Sequence, residues 1–196
     1  MREVIRLTLI LLLICSVAAV ILGLTNTLTK DTIVEVEEQL SSKARREALD
    51  LSETDLIESI DEQNLKSIQA EDEKVLEVYK GYSGDNFVGY AIRTVDFGGY
   101  GGDIEVITGI STDGEVVAIK VVSHQETPGL GAKVSGEGFQ GQFKGKDAEQ
   151  EIIRTKTEPD PGSNEIQALS GATISSDSVI RAVDTAREIF NNELYK

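Results

Sequence analysis

The most marked hydrophobic pattern lies near the start of the chain. Residues 7–24 include no charged residue, and only Thr8 and Ser16 are clearly polar. A helix of about 18 residues spans roughly 27 Å, close to the thickness of a bilayer's hydrocarbon core. The alternative is a cleaved signal peptide, which has a shorter apolar core and a small-residue cleavage site, whereas residues 25–29 form a poor site. The pattern therefore predicts a retained transmembrane anchor over residues 1–24.

The charges that flank this run predict its orientation. Arg2 and Arg6 precede it, whereas Glu35, Glu37 and Glu38 follow it after a single Lys30. Basic residues are enriched on the cytoplasmic side of membrane spans. We therefore expect a single-pass protein of the cytoplasmic (inner) membrane, with the N-terminus inside and the main domain outside.

The segment 25–73 is acidic and contains neither glycine nor proline, a composition that permits long helices. Ile33, Val36 and Leu40 recur at helical spacing. The pattern predicts a helix from the membrane to about Asp50, then a shorter helix or an irregular segment around residues 56–67. We interpret the whole segment as an acidic helical linker.

The helical period is lost near Lys74, and runs typical of β-strands begin. Short turns separate these runs, including Asp113-Gly114, a strong hairpin signal. The pattern predicts an antiparallel meander of four strands, at residues 75–79, 87–95, 104–111 and 115–123. A further strand is expected at residues 152–155.

A meander of this kind must bury one face. Two covers are predicted: the segment 139–143 and a C-terminal helix, which Ser175 or Ser176 would cap. The apolar stripe of that helix is Val179, Val183, Ala186, Phe190 and Leu194. The fold class is thus α+β, with a transmembrane helix followed by an antiparallel sheet packed with helices, and with the main domain at residues 74–196.

Composition excludes several function classes. The chain has 34 acidic and 19 basic residues and a net charge of −15, which argues against nucleic acid as a partner. Its one cysteine, Cys15, lies in the apolar run, and its one histidine is His124, so cysteine or histidine clusters for metals are excluded. A G-x-G-x-x-G string at residues 136–141 does not follow a strand, and we interpret it as chance or a flexible loop.

Two segments could carry chemistry. Residues 123–131 combine a proline and two glycines at the end of the fourth strand, which suits a loop that approaches a flat ligand, or an ordinary turn. Residues 170–176 place Thr173 after small residues and before the last helix, whose N-terminus favours a phosphate. The alternative is a helix cap and its lead-in.

These two segments resemble a known family. Ser170-Gly171-Ala172-Thr173 with Ser176 is similar to the motif at which a flavin transferase attaches FMN, and the loop 126–131 resembles the family's second fingerprint. Together with the anchor, they resemble the G subunit of the Rnf-type ion-translocating ferredoxin:NAD oxidoreductase, in the FMN-binding domain family. The chain differs from the motif at Gln167, where the family usually has aspartate.

The resemblance implies an electron-transfer subunit of a membrane-bound redox enzyme complex, with no catalytic residue and no metal of its own. It implies FMN joined through its phosphate to Thr173, other membrane subunits as partners and a flavin transferase for maturation. The expected flavin-binding residues are Glu126, Thr127, Gly129, Leu130, Lys156, Ser170, Gly171, Ala172 and Ser176, with His124 as a possible neighbour. Two alternatives stay open: the C subunit of a sodium-pumping NADH:quinone reductase, and a non-redox anchored binding or scaffold domain.

Overall fold

The structure, a computed structural model, describes residues 1–195, apart from the side chain of Asp31. Lys196, the last residue of the predicted domain, lies outside the described residues. Two compact units are present, Met1–Ser41 and Ser42–Lys196. From Arg2 onward, the first unit is part of one helix, α1 (Arg2–Ala48), which ends within the second unit. Within the described residues, one stretch of helix, Arg2–Lys30, is long and apolar enough to cross a membrane.

Helix α1 ends close to the position that the sequence predicts. After Ala48 the backbone of Asp50 enters the left-handed region, with φ of 56°. The amide of Leu51 then donates to the carbonyl of Arg46 at 2.9 Å. A left-handed residue that returns the chain to the last turn is a common way to end a helix.

The second unit is built on a five-stranded antiparallel sheet in the order β1-β2-β3-β4-β5. Four strands match the predicted meander, and the fold class α+β is confirmed. The edge strand β1 lies where the sequence predicts a helix or irregular segment, because it is short and largely exposed and so carries little alternation. The strands are Leu56–Ser59, Val75–Ser83, Asn86–Asp96, Ile104–Ser111 and Val116–Ser123.

Short elements lie around this sheet. Helix α2 (Glu62–Glu71) is capped by Asp61, whose side chain accepts from the amide of Gln63. The one-turn helix α3 (Glu137–Gln140) lies between two 3₁₀ turns, Gly131–Ser135 and Gly141–Phe143. Strands β6 (Ile153–Thr155) and β7 (Glu165–Gln167) pair in parallel as a separate small sheet, of which the sequence predicts only the first.

Helix α4 (Thr173–Ile189), followed by a π-helical turn at Phe190–Leu194, covers one face of the sheet. Its buried residues Val179 and Val183 join Phe139 and Phe143 in one core cluster with β4 and β5, so both predicted covers are confirmed. The opposite face carries another cluster, in which Ala44, Ala48 and Leu49 at the end of α1 pack on Ala91 and Ile107. This unit thus includes core residues that precede position 74.

Candidate functional site

Thr173 is the first residue of helix α4, and it is exposed. The predicted caps Ser175 and Ser176 are wrong, because the helix begins earlier and Ala172 is its N-cap residue. Ala172 makes no side-chain cap hydrogen bond. The first amides of a helix have no partner within the helix and carry its positive dipole end. The Thr173 hydroxyl therefore lies at an end of a long helix that favours an anion.

The other hydroxyls of the segment 170–176 differ in their availability. Ser175 and Ser176 are buried, and each hydroxyl is engaged within the protein. Ser175 Oγ donates to Glu126 Oε2 at 2.6 Å, and Ser176 Oγ donates to the carbonyl of Ala172 at 3.0 Å. Ser170 is exposed, but it precedes the helix. Of these four hydroxyls, Thr173 alone is both exposed and part of the first helical turn.

Two cavities meet at Thr173. The first has a volume of about 520 Å³ and is lined by Tyr100, Glu126, Thr127, Leu130, Gly131, Gly171, Ala172, Thr173, Ile174 and Ser175. The second has about 550 Å³ and is lined by Gly138, Phe139, Gln142, Lys156, Gln167, Ala168, Leu169, Ser170, Gly171 and Thr173. Gly171 and Thr173 line both, so Thr173 lies at the border between the two spaces.

The backbone between the cavities is shaped by Gly171. Its φ of +78° lies in the left-handed region, which L side chains rarely adopt. The loop 127–131 on the other side of the first cavity is drawn into a tight turn, in which the amide of Leu130 donates to the carbonyl of Thr127. The Leu130 side chain, 51% exposed, is left on the cavity wall.

The structure brings together most of the residues that the sequence predicts for the site. The wall of the first cavity includes Glu126, Thr127, Leu130, Gly171 and Ala172, and the wall of the second includes Lys156 and Ser170. Neither wall includes Gly129 or Ser176. Gly129 provides a left-handed turn with φ of +79°, and Ser176 Oγ accepts from the amide of Leu169. His124 accepts from the amide of Glu126 through Nδ1 and lines neither cavity.

Glu126 belongs to the loop that the sequence predicts to contact a flat ligand, but its carboxylate is bound within the protein. Its side chain is buried, and both carboxylate oxygens accept hydrogen bonds from the protein. Oε1 accepts from the amide of Gly101 at 3.0 Å, and Oε2 accepts from the Ser175 hydroxyl. The carboxylate therefore connects the loop before β4 with the first turn of α4.

A second buried carboxylate, Asp96, lies at the end of β3. Arg181 binds it through two nitrogens at 2.7 and 2.9 Å, and Ser178 Oγ donates to it at 2.6 Å. Burial by itself would raise the pKa of Asp96, but the hydrogen bonds from Arg181, Ser178 and the amide of Gly98 together lower it below the ordinary value. The hydrogen bond to Asp96 likewise raises the pKa of Arg181.

Sequence reasoning missed several residues of this region. Tyr100 and Ile174 line the first cavity and are 71% and 52% exposed. Asp96 and Arg181 lie on a strand and a helix whose sequences show only an apolar pattern. A signal was present for Tyr100, because an aromatic residue between two pairs of glycines on a loop has no core to join.

The first cavity fits a flat ligand with an attached phosphate. Its volume lies in the range usual for cofactor sites, and Leu130, Ile174 and Ala172 give it apolar surface. Polar groups are few there, and the phosphate-favouring helix end lies at its edge. The residues present therefore fit a flavin nucleotide such as FMN.

Comparisons with known proteins identify the family of the chain. Residues 99–188 match the family model described as FMN-binding domain. In Acetobacterium woodii, the G subunit of the Na(+)-translocating ferredoxin:NAD(+) oxidoreductase complex is 40% identical, over 97% of this chain and 93% of that protein. The G subunit of the ion-translocating oxidoreductase complex of Methanosarcina acetivorans is 31% identical, over 94% of this chain and 93% of that protein.

Among solved structures, NqrC of Shewanella oneidensis has the same fold. The TM-score is 0.61 over 81% of this chain and 95% of that one, at 16% sequence identity. The fold is thus shared more widely than the sequence. Because the similarity to the two G subunits extends over nearly their full lengths, the chain belongs to the family of G subunits of ion-translocating oxidoreductase complexes.

Proposed function

We propose that this chain is an electron-transfer subunit of a membrane-bound ion-translocating ferredoxin:NAD oxidoreductase, and that it carries FMN through a phosphoester to Thr173. The relative from A. woodii is named as the G subunit of a complex with that activity, and it matches nearly the whole chain. The match to the FMN-binding domain model supports the cofactor. Partners would be the other membrane subunits and, for attachment, a flavin transferase.

The observation that carries the proposal is the placement of Thr173. Its hydroxyl is exposed at the uncapped start of α4, at the junction of two cavities, whereas the hydroxyls of Ser175 and Ser176 are buried and engaged. A phosphate there gains from the helix dipole and from free amides. Thr173 is the first helical residue and not the N-cap residue, which is Ala172.

Each part of the site has a proposed role toward FMN. Leu130, Ile174 and Tyr100 give the ring an apolar wall, and Thr127 is a polar group beside it. Lys156 lines the second cavity, where its ammonium is a counter-charge for the phosphate. When bound, FMN supplies the electron-carrying chemistry, while the protein binds it, orients it and sets its surroundings.

We also propose the arrangement of the chain about the membrane. Residues 1–24 would be the anchor, and the acidic segment 25–73 and the flavin domain, for which the sequence predicts residues 74–196 and to whose core residues before 74 also contribute, would lie outside the cytoplasmic membrane. The apolar stretch Arg2–Lys30 and the basic residues before it support this orientation. Protease added to intact spheroplasts should then digest the chain beyond Lys30. If that region is protected while the spheroplasts are intact, the orientation is contradicted.

The alternative as the C subunit of a sodium-pumping NADH:quinone reductase shares the fold and the proposed cofactor. At 16% identity, the likeness to NqrC shows the fold alone. The two G subunits match at 40% and 31% identity. The set of proteins that co-purifies with the chain distinguishes the two complexes.

The attachment is tested with the full chain in detergent, after co-expression with a flavin transferase. Wild type should gain a flavin that survives denaturation and maps by mass spectrometry to the peptide with Thr173. Thr173→Ala should lose it completely, and Thr173→Ser should keep part of it. Ser135→Ala, which removes an exposed hydroxyl outside the motif and outside both cavity walls, is the matched control and should keep the adduct. An unmodified wild-type chain from its native host would overturn the covalent linkage.

A further inference from the structure

The loop 98–102 between β3 and β4 contains four glycines around one tyrosine, Tyr100. It has no regular structure to hold it, and glycines lose more backbone freedom on ordering than other residues. Yet it contributes Tyr100 to the wall of the first cavity. Something outside the loop must therefore fix its conformation.

Two buried carboxylates provide that constraint, one at each end of the loop. Asp96 accepts from the amide of Gly98 at 3.0 Å and from Ser178 Oγ at 2.6 Å. Glu126 accepts from the amide of Gly101 at 3.0 Å and from Ser175 Oγ at 2.6 Å. Each carboxylate thus joins one amide of the loop to one serine hydroxyl of helix α4.

The two serines have the spacing that this arrangement requires. Ser175 and Ser178 are three residues apart on α4 and so lie on the same helix face. Both are at most 1% exposed. Because the helix is rigid, it holds the two carboxylates, and through them both ends of the loop, at a fixed separation. The same helix begins with Thr173, the proposed attachment residue, so helix α4 positions both this residue and the loop.

The glycines are a consequence of this close approach. A Cβ on Gly98 would come within 2.5 Å of the Arg181 Nη2 atom that binds Asp96. A Cβ on Gly101 would overlap the carbonyl oxygen of Gln125, the residue before Glu126. On the far side of Glu126, a Cβ on Gly131 would overlap its Oε2 atom. A side chain at Gly131 would thus meet the Glu126 carboxylate itself, whereas one at Gly98 would meet the guanidinium that binds Asp96, and one at Gly101 the backbone next to Glu126.

We propose that Asp96 and Glu126 are positioning residues for the flavin cavity: they fasten the loop 98–102 to helix α4 and so hold Tyr100 on the wall that faces Thr173. The identity of the ligand in this cavity rests on the proposed function. The fastening itself does not, since every contact named lies within the polypeptide. Hydrogen bonds to a buried carboxylate are costly to break, and movement of the loop would remove one such bond from each of the two carboxylates.

The first measurement is hydrogen exchange on the full chain in detergent, without flavin. Ser175→Ala removes one hydroxyl from Glu126 and puts a good helix former into α4. We expect exchange in the loop 98–102 to become at least about tenfold faster, since a hydrogen bond to a charged group is worth that factor or more. Ser135→Ala removes an exposed hydroxyl that donates to the carbonyl of Ala132, and it should leave the loop unchanged. Unchanged loop exchange in Ser175→Ala would overturn the fastening.

The second measurement separates positioning from simple stability. In flavin-loaded wild type, loop exchange should slow relative to the unloaded chain, because the ligand covers the Tyr100 side of the loop. In flavin-loaded Ser175→Ala, the absorption spectrum and midpoint potential of the flavin should shift, whereas Ser135→Ala should match wild type. A loosened loop with an unchanged flavin spectrum and potential would contradict the positioning role.

The two proposals fail in different ways. A wild-type chain that never acquires flavin contradicts the proposed function, and the exchange of the unloaded variants still decides whether the carboxylates hold the loop. A chain that acquires flavin with no change of loop exchange on loading keeps the proposed function and overturns the placement of Tyr100 at the flavin.

Discussion

Two glycine-rich segments of this protein look alike in sequence but differ in how closely the rest of the structure packs around their glycines. In the loop 98–102, a Cβ on Gly98, Gly99 or Gly101 would overlap other atoms, which include backbone oxygens and the Arg181 side chain that binds Asp96. The string at residues 136–141 runs through helix α3 and the adjoining 3₁₀ turns, and a Cβ on Gly138 or Gly141 would meet nothing within 4 Å.

The difference shows that glycine content does not by itself mark a ligand-binding loop. The segment 136–141 has the spacing of a dinucleotide fingerprint, yet it follows a 3₁₀ turn and opens only a four-residue helix. The loop 98–102 matches no such pattern, yet it borders the cavity at Thr173 through Tyr100. The two segments differ in how much space surrounds the position of a Cβ on their glycines, and this cannot be inferred from the sequence.

The largest effect should come from filling the packed segment. Gly101→Ala would drive its Cβ into the backbone carbonyl of Gln125, which cannot rotate away as a side chain could. We expect the free energy of unfolding to fall by about 3 kcal/mol, at the upper end for overpacked sites. Urea unfolding of the full chain in detergent measures it. A loss below about 0.5 kcal/mol would mean that the loop yields easily, and the contrast between the segments would disappear.

Much of the fold could be predicted because its strands and last helix follow simple periods. The predicted bounds of strand β4 are those of the structure, since its apolar run is buried and bounded by turn residues. Strand β1 escapes prediction because it is an exposed edge strand, with only Ile57 half-buried. Strand β7 escapes it because three residues are too short to show alternation.

The site was predictable only in part, and for a physical reason. Thr173 could be chosen because its neighbours are small and a helix follows, which are local properties. The partners of Glu126 are Gly101 and Ser175, which lie 25 and 49 residues away, and no local pattern joins them. The predicted start of α4 is too late because the serines look like caps, whereas the Ser175 hydroxyl bonds to the distant Glu126 and the Ser176 hydroxyl donates back to the carbonyl of Ala172.

A smaller effect tests the charge that holds the packed segment. Asp96→Asn keeps the shape but removes the charge, and we expect it to lower the stability at pH 7 by about 1.5 kcal/mol. Because the folded pKa of Asp96 is lowered, its contribution is complete above the unfolded value of about 3.9 and is lost as the pH falls through the folded value. The gap between wild type and variant should therefore be constant from about pH 5 to 7 and shrink below about pH 4.

The control for this series is Asp103→Asn, which changes an exposed aspartate just beyond the same loop. It should leave stability unchanged across the same range, because an exposed carboxylate is solvated in both states. A stability gap for Asp96→Asn that persists unchanged down to about pH 2 would show that the lost interaction is not that of the charged carboxylate.

The smallest effect, and one of opposite sign, should come from the open segment. Gly141 has φ of −62° and ψ of −20°, and a Cβ there would meet nothing within 4 Å. Alanine fits this conformation and restricts the unfolded chain, so Gly141→Ala should raise the free energy of unfolding by about 0.5 kcal/mol. The same urea measurement applies, with Gly101→Ala as the opposing case. A loss of stability at Gly141 would show that this segment, too, depends on its glycines, which would contradict the contrast drawn between the two.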